Sequence, residues 1–209
     1  MRAAEVVERL REELRGLNEG VINHPYVREA EAGELPIEKI ERFVINQLYI
    51  VPHDLRSLSI MLSRSVLQDE IDLFKTAVEG DYTALKELRK LAAELGIGEE
   101  RLYDIIPDAV AYTHYLAWLA LYATPGEAAI ALVVNLPVWG NAVSRLGRAL
   151  KERYGIKEIG FFEAFSGDYS WFEQLAYPVI ERYADYRKYR RVARTIQAYE
   201  KMFWDAIYR

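Results

Sequence analysis

The chain has 209 residues, of which 51% are hydrophobic and 28% charged, with a formal net charge of −5 and no cysteine. That balance excludes a disordered chain, and the missing thiol excludes disulfides, thiolate metal sites and cysteine nucleophiles. Both charge signs are mixed along the sequence, which argues against a nucleic-acid partner, since phosphates favour a basic surface.

In chain order the apolar residues keep helical spacing nearly throughout. Val7, Leu10, Leu14 and Leu17 mark a first amphipathic helix. His24-Pro25 breaks the chain, and Gly33-Glu-Leu-Pro36 reads as a turn with Pro36 opening a second helix. That helix carries Ile40, Phe43, Val44, Val51, Leu55, Leu58 and Leu62 on one stripe and is expected to kink at Pro52. A third region runs from Leu67 to Leu95, with Gly80-Asp81 as a candidate interruption. A fourth covers Pro107 to Ala123, and a fifth runs from Glu127 to Tyr154, bent at Pro137. Short segments near Phe161 to Phe165 precede two last helices, Tyr169 to Arg182 and Asp185 to Arg209.

No segment alternates with period two, so the expected fold is all-α, a multi-helix bundle forming one domain over 1–209. The charged start, MRAAEVVERLREEL, lacks an apolar signal core. The longest nearly uncharged stretch, Ala109 to Pro125, is too short to span a bilayer. A cytoplasmic protein with no membrane partner is expected.

The informative residues are polar ones on apolar stripes, because a buried polar group needs a partner. Glu200 shares a face with Ile196, Phe203 and Ile207; burial would raise its pKa and suit it to proton transfer. Its ordinary alternative is an edge glutamate paired with an arginine. Gln47 lies between Phe43 and Val51, and Asp54 shares that face if register survives Pro52. Asn135 stands two residues before Pro137, either serving the carbonyl the proline leaves unpaired or flanking a kink that opens a pocket. Aromatics crowd two helices, at Tyr112, Tyr115 and Trp118 and at Tyr199, Phe203 and Trp204, and a subset suits a flat ring. His24, His53 and His114 stand in no metal-ligand spacing and read as structural; no metal site is expected.

Four segments in order carry a family resemblance: His24-Pro-Tyr-Val27 with Gly33-Glu-Leu-Pro and FVINQLYIV, then Ala111-Tyr-Thr-His-Tyr-Leu116, Asn135-Leu-Pro-Val-Trp139, and Tyr199-Glu-Lys-Met-Phe-Trp-Asp-Ala-Ile-Tyr208. Together the set resembles the TenA/PqqC group of heme-oxygenase-like bundles. The resemblance implies a bundle with a central pocket, assembled as a homo-oligomer and using no cofactor. TenA enzymes resemble thiaminase II and hydrolyse an amino group from a degraded thiamin pyrimidine. Of their site, the resemblance places Gln47 at the aspartate, Val138 at the cysteine, Ile50 at one tyrosine and Phe165 at another, while Tyr112 and Glu200 are retained. Valine cannot act as a nucleophile.

The expected function is therefore binding of a small aromatic heterocycle, with Glu200 as the proton-handling carboxylate and Gln47, Asp54, Tyr112, Asn135, Val138 and Phe165 as ligand-binding residues. The alternatives are a PqqC-like cofactorless oxidoreductase, a non-catalytic regulatory protein, and a partner subunit whose pocket is closed by a Tyr112–Glu200 contact.

Overall fold

The computed structural model describes residues 2–209, with Leu102 described by its backbone alone. Ten α-helices and a short 3-10 helix, Glu99–Tyr103, make up the chain, with no strand among the described residues.

The first amphipathic stretch is two helices. α1 (Ala3–Glu13) buries Ala3, Val6, Val7 and Leu10, and the backbone leaves helical geometry at Leu14 before α2 (Arg15–Ile22). Gly16 and Gly20 lie in α2, where glycine weakens helical continuity. The apparent break at His24-Pro25 starts a helix, α3 (Pro25–Ala32). The His24 ring accepts from the Tyr26 amide at 3.2 Å, Pro25 fits the first helical position, and Gly33 ends the helix at φ 76°.

α4 (Ile37–Arg64) runs unbroken through Pro52, and α5 (Gln68–Glu94) runs through Gly80-Asp81 without the interruption. α6 (Pro107–Tyr122) begins where Asn46 Oδ1 accepts from the Ile106 amide at 2.9 Å. That buried asparagine also donates to the Arg42 carbonyl at 2.8 Å, so it joins α4 to the start of α6. α7 (Pro125–Tyr154) opens with a reciprocal Thr124–Glu127 cap. α8 (Gly160–Ala164), α9 (Ser170–Arg182) and α10 (Tyr186–Tyr208) complete the bundle.

α7 is long and apolar enough to cross a membrane, yet 72% of its apolar window is buried inside the bundle, which is the burial of a core helix. Inside it, Pro137 cannot donate to the Val133 carbonyl four residues back. Arg11 of α1 fills that gap, donating to Val133 O at 3.2 Å while pairing with Glu173 of α9. Asn135 is therefore not the partner of the orphaned carbonyl and is free for other contacts.

The apolar interior falls into two stacked cores. One gathers Val27, Phe43, Val51, Leu88, Leu146, Phe161 and Phe203; the other gathers Val7, Leu58, Phe74, Leu116, Val133, Phe172 and Ile196. Each long helix passes from one core to the other, and the crossing points carry Pro52 and Asp54 on α4, Gly80 and Asp81 on α5, Thr113 on α6, Pro137 on α7, and Gln197 and Glu200 on α10.

Gly80 is exposed, and a Cβ added there would meet no atom within 4 Å. Gly80→Ala should stabilise the fold by about 0.5–1 kcal/mol through helix propensity. Thermal unfolding should show a rise of about 1–4 °C; a fall would mean that the helix needs the glycine backbone.

Candidate ligand cavity at the seam of the two cores

A cavity of about 170 Å³ opens at this seam. An apolar cavity of about 150 Å³ holds benzene, so the space suits one substituted ring. Its walls come from α4 (Gln47, Ile50, Val51, Asp54, Leu58), α5 (Thr76, Ala77, Gly80, Asp81), α6 (Tyr112, Leu116), α7 (Leu132, Asn135, Leu136, Trp139), α10 (Glu200, Phe203) and the region of α8 and α9 (Phe165, Tyr169, Phe172). Exposed Gly80 and Trp171 also line it and mark its mouth between α5 and α9.

One polar network organises one wall. Tyr112 Oη donates to Asn135 Oδ1 at 3.1 Å, and Asn135 Nδ2 donates to Gln197 Oε1 at 2.9 Å and to Glu200 Oε2 at 3.2 Å. Trp204 Nε1 donates to Glu200 Oε1 at 2.8 Å, and Gln197 Nε2 passes the chain outward to Asn18 at 2.6 Å. Both Glu200 oxygens thus accept from fixed donors, on a side chain buried at 4% exposure. Burial pushes the Glu200 carboxyl up to about 7, with the Asn135 and Trp204 hydrogen bonds opposing. Such a group exchanges a proton near neutrality. Tyr112 is held well above its usual range by burial and by the charges of Asp54, Glu200 and Asp81, so it stays a phenol and a donor.

Six of the seven candidate residues from the sequence line this cavity: Glu200, Gln47, Asp54, Tyr112, Asn135 and Phe165. Gln47 and Asp54 both do so, which means that Pro52 leaves their shared face in register. Gln47 is buried and has no hydrogen-bond partner among the described residues, so no interhelical bond occupies its amide. Val138 is not among the lining residues; it packs in the core, and its neighbours Leu136 and Trp139 form the wall. Tyr112 reaches Glu200 only through Asn135, and the pocket is not closed by a direct contact. Tyr115 stacks on Trp118 and leans on Tyr199, away from the cavity walls.

The three histidines serve structure. His24 caps α3 and meets Asp205 at 3.1 Å, and His53 and His114 both contact Tyr49.

Asp81 was not singled out as a site residue in the sequence. It sits on the stripe Phe74, Ala77, Asp81, Ala84, Leu88, so the test that found Glu200 applies to it too; the adjacent Gly80 made the pair look like a helix break. Burial raises the Asp81 carboxyl well above its usual range, and the Asp54 charge adds to this. Asp54 is pushed up to about 7 by burial; the nearby Thr113 hydroxyl opposes the shift and the Glu200 charge adds to it.

The model of the TENA/THI-4/PQQC family matches residues 11–209. A TenA homologue from Pyrococcus furiosus superposes with a TM-score of 0.81 at 22% identity, covering 97% of this chain and 100% of that one. A TenA homologue from P. horikoshii gives 0.78 at 19% identity, covering 97% and 98%. A TenA homolog from Pseudomonas syringae gives 0.81 at 11% identity, covering 99% and 95%. At these identities the likeness establishes the fold. No curated protein matches the sequence.

A carboxylate whose folded pKa is raised contributes stability while protonated, below its unfolded value, and loses it as pH rises through the folded value. For Glu200 the window runs from about 4.5 to about 7. Against Glu200→Gln, wild-type stability should therefore fall across that window, by at most about 3 kcal/mol. Denaturant unfolding of both proteins from pH 4.5 to 8 reads this, and a pH-independent difference would show that Glu200 titrates as an ordinary glutamate.

Proposed function

The chain belongs to the TENA/THI-4/PQQC family, and from that premise we propose that its cavity binds a small aromatic heterocycle, with a thiamin-derived aminopyrimidine as the leading ligand. The observation that carries this reading is the Tyr112–Asn135–Glu200–Trp204 network. It presents a carboxyl with a pKa near 7 to a cavity sized for one ring and walled by Trp139, Phe165, Phe172 and Phe203.

In this reading Glu200 gives a proton to, or takes one from, a ring nitrogen, as a ring with both amino and imino character requires. The flat faces of the ring lie against the aromatic walls. Gln47 supplies a neutral amide where TenA enzymes carry an aspartate, so it recognises a donor–acceptor pair on the ring without adding charge.

The covalent route implied by the TenA resemblance has no support from the lining residues. Val138 replaces the cysteine, and the lining hydroxyls are those of Thr76, Tyr112 and Tyr169. Any turnover would proceed by acid–base chemistry on water. The wall also contains no histidine or arginine, which leaves the PqqC-like alternative without support.

Calorimetric titration with the aminomethyl aminopyrimidine derived from thiamin tests the reading. Micromolar binding is expected, weakened at least tenfold by Glu200→Gln, a change of about 1.4 kcal/mol. Ammonia release from the same mixture would mark an enzyme, and binding without release a sensor or carrier. No binding to the wild-type protein would overturn the aminopyrimidine assignment.

A further inference from the structure

The network around Glu200 leaves a second acidic group in the cavity without a role. Asp54 on α4 and Asp81 on α5 both line the wall. By area each is only partly buried, because each faces the cavity, while Asp54 Oδ1 and Asp81 Oδ2 are sealed from water and meet no hydrogen-bond donor. Thr113, at 1% exposure, stands beside Asp54 with its Oγ1 likewise unpartnered.

Buried carboxylates in native proteins are normally paired with a cation or fully hydrogen-bonded. Here neither holds. No lysine, arginine or histidine lines the cavity, and the titratable groups facing the pair are themselves acidic or phenolic, namely Glu200 and Tyr112. The surrounding walls are aromatic, and such faces attract cations. Among the described residues, no three acidic or histidine side chains converge closely enough to hold a metal ion.

We infer that Asp54 and Asp81, with Thr113 behind Asp54, form a subsite for an organic cation, so that the ligand of this cavity carries a protonated amine or amidinium beside its ring. An ammonium group in the cavity offers donors to the two carboxyl groups that line it, and its positive charge balances theirs. The inference rests on the cavity being a small-molecule site, as proposed above, but not on the ring being a pyrimidine.

Benzylammonium and benzyl alcohol make the simplest test, being nearly equal in shape and different in charge. At pH 7 the wild-type protein should bind benzylammonium at least tenfold more tightly than the alcohol. Repeating the titration in buffers of different ionisation enthalpy should show a proton released on binding. Asp81→Asn and Asp54→Asn should each bring the preference within about threefold and suppress the release.

Each aspartate variant also removes a desolvated charge, so its melting temperature at pH 8 should equal or exceed that of wild type. If one variant fails to fold the other carries the comparison, and the wild-type preference and proton release need no variant. Equal affinity for the two probes, no binding of either, or a preference that survives both substitutions would overturn the subsite. Aspartate-dependent benzylammonium binding without pyrimidine binding would overturn the ring assignment alone; pyrimidine binding without any ammonium preference would overturn the subsite alone.

Discussion

Burying polar groups between two apolar cores is the constraint on which this molecule turns. A bundle of long helices could be filled by aliphatic and aromatic side chains from end to end. Instead α4, α5, α6, α7 and α10 each place a polar residue or a proline at the same level. Each such group carries a desolvation cost of a few kcal/mol unless something pairs with it. Asn135 and Trp204 offset that cost for Glu200, and Tyr112 and Gln197 in turn pair with Asn135. For Asp54 only the nearby Thr113 hydroxyl opposes the cost, and one oxygen each of Asp54 and Asp81 is left without a partner. The cavity lies in this layer, between the two cores.

How much of this the sequence discloses depends on whether a residue's neighbours in the chain are also its neighbours in space. Glu200 is legible because Ile196, Phe203 and Ile207 surround it on the same helix. Gln47 and Asp54 are legible for the same reason once α4 is continuous through Pro52. Asp81 obeys the same rule, but glycine beside an acidic residue is the ordinary mark of a turn, and only the packing of α5 against α4, α8 and α9 keeps that segment helical. α3 is hidden by the opposite effect: histidine, proline and glycine read as breakers singly, yet spaced as cap, first residue and terminator they delimit two turns of helix. The role of Asn135 could not be read locally, since the group that satisfies Val133 lies 122 residues away on α1. Val138 shows the limit of carrying a motif position over: the family pattern assigns it to the site, and the structure packs it in the core.

The chemistry open to the cavity follows from which groups are present. Three carboxyl groups with raised pKa values and three hydroxyls line a space walled by aromatic rings. Such a set can move protons, hold a flat ring and attract positive charge. Among the lining residues there is no serine, cysteine or lysine to act as a covalent nucleophile.

Arg11 gives the fold a dependence of another kind. Its guanidinium replaces the backbone donor that Pro137 lacks, and the same group ties α9 through Glu173. The proline and the arginine are therefore one feature written at two distant places in the chain. In a lineage that lost the proline, Arg11 would face a carbonyl already satisfied and would be released to drift; in one that kept it, Arg11 would be held fixed without touching the cavity. Coordinated change between these two positions would record the history of the proline in α7 rather than the history of the ligand.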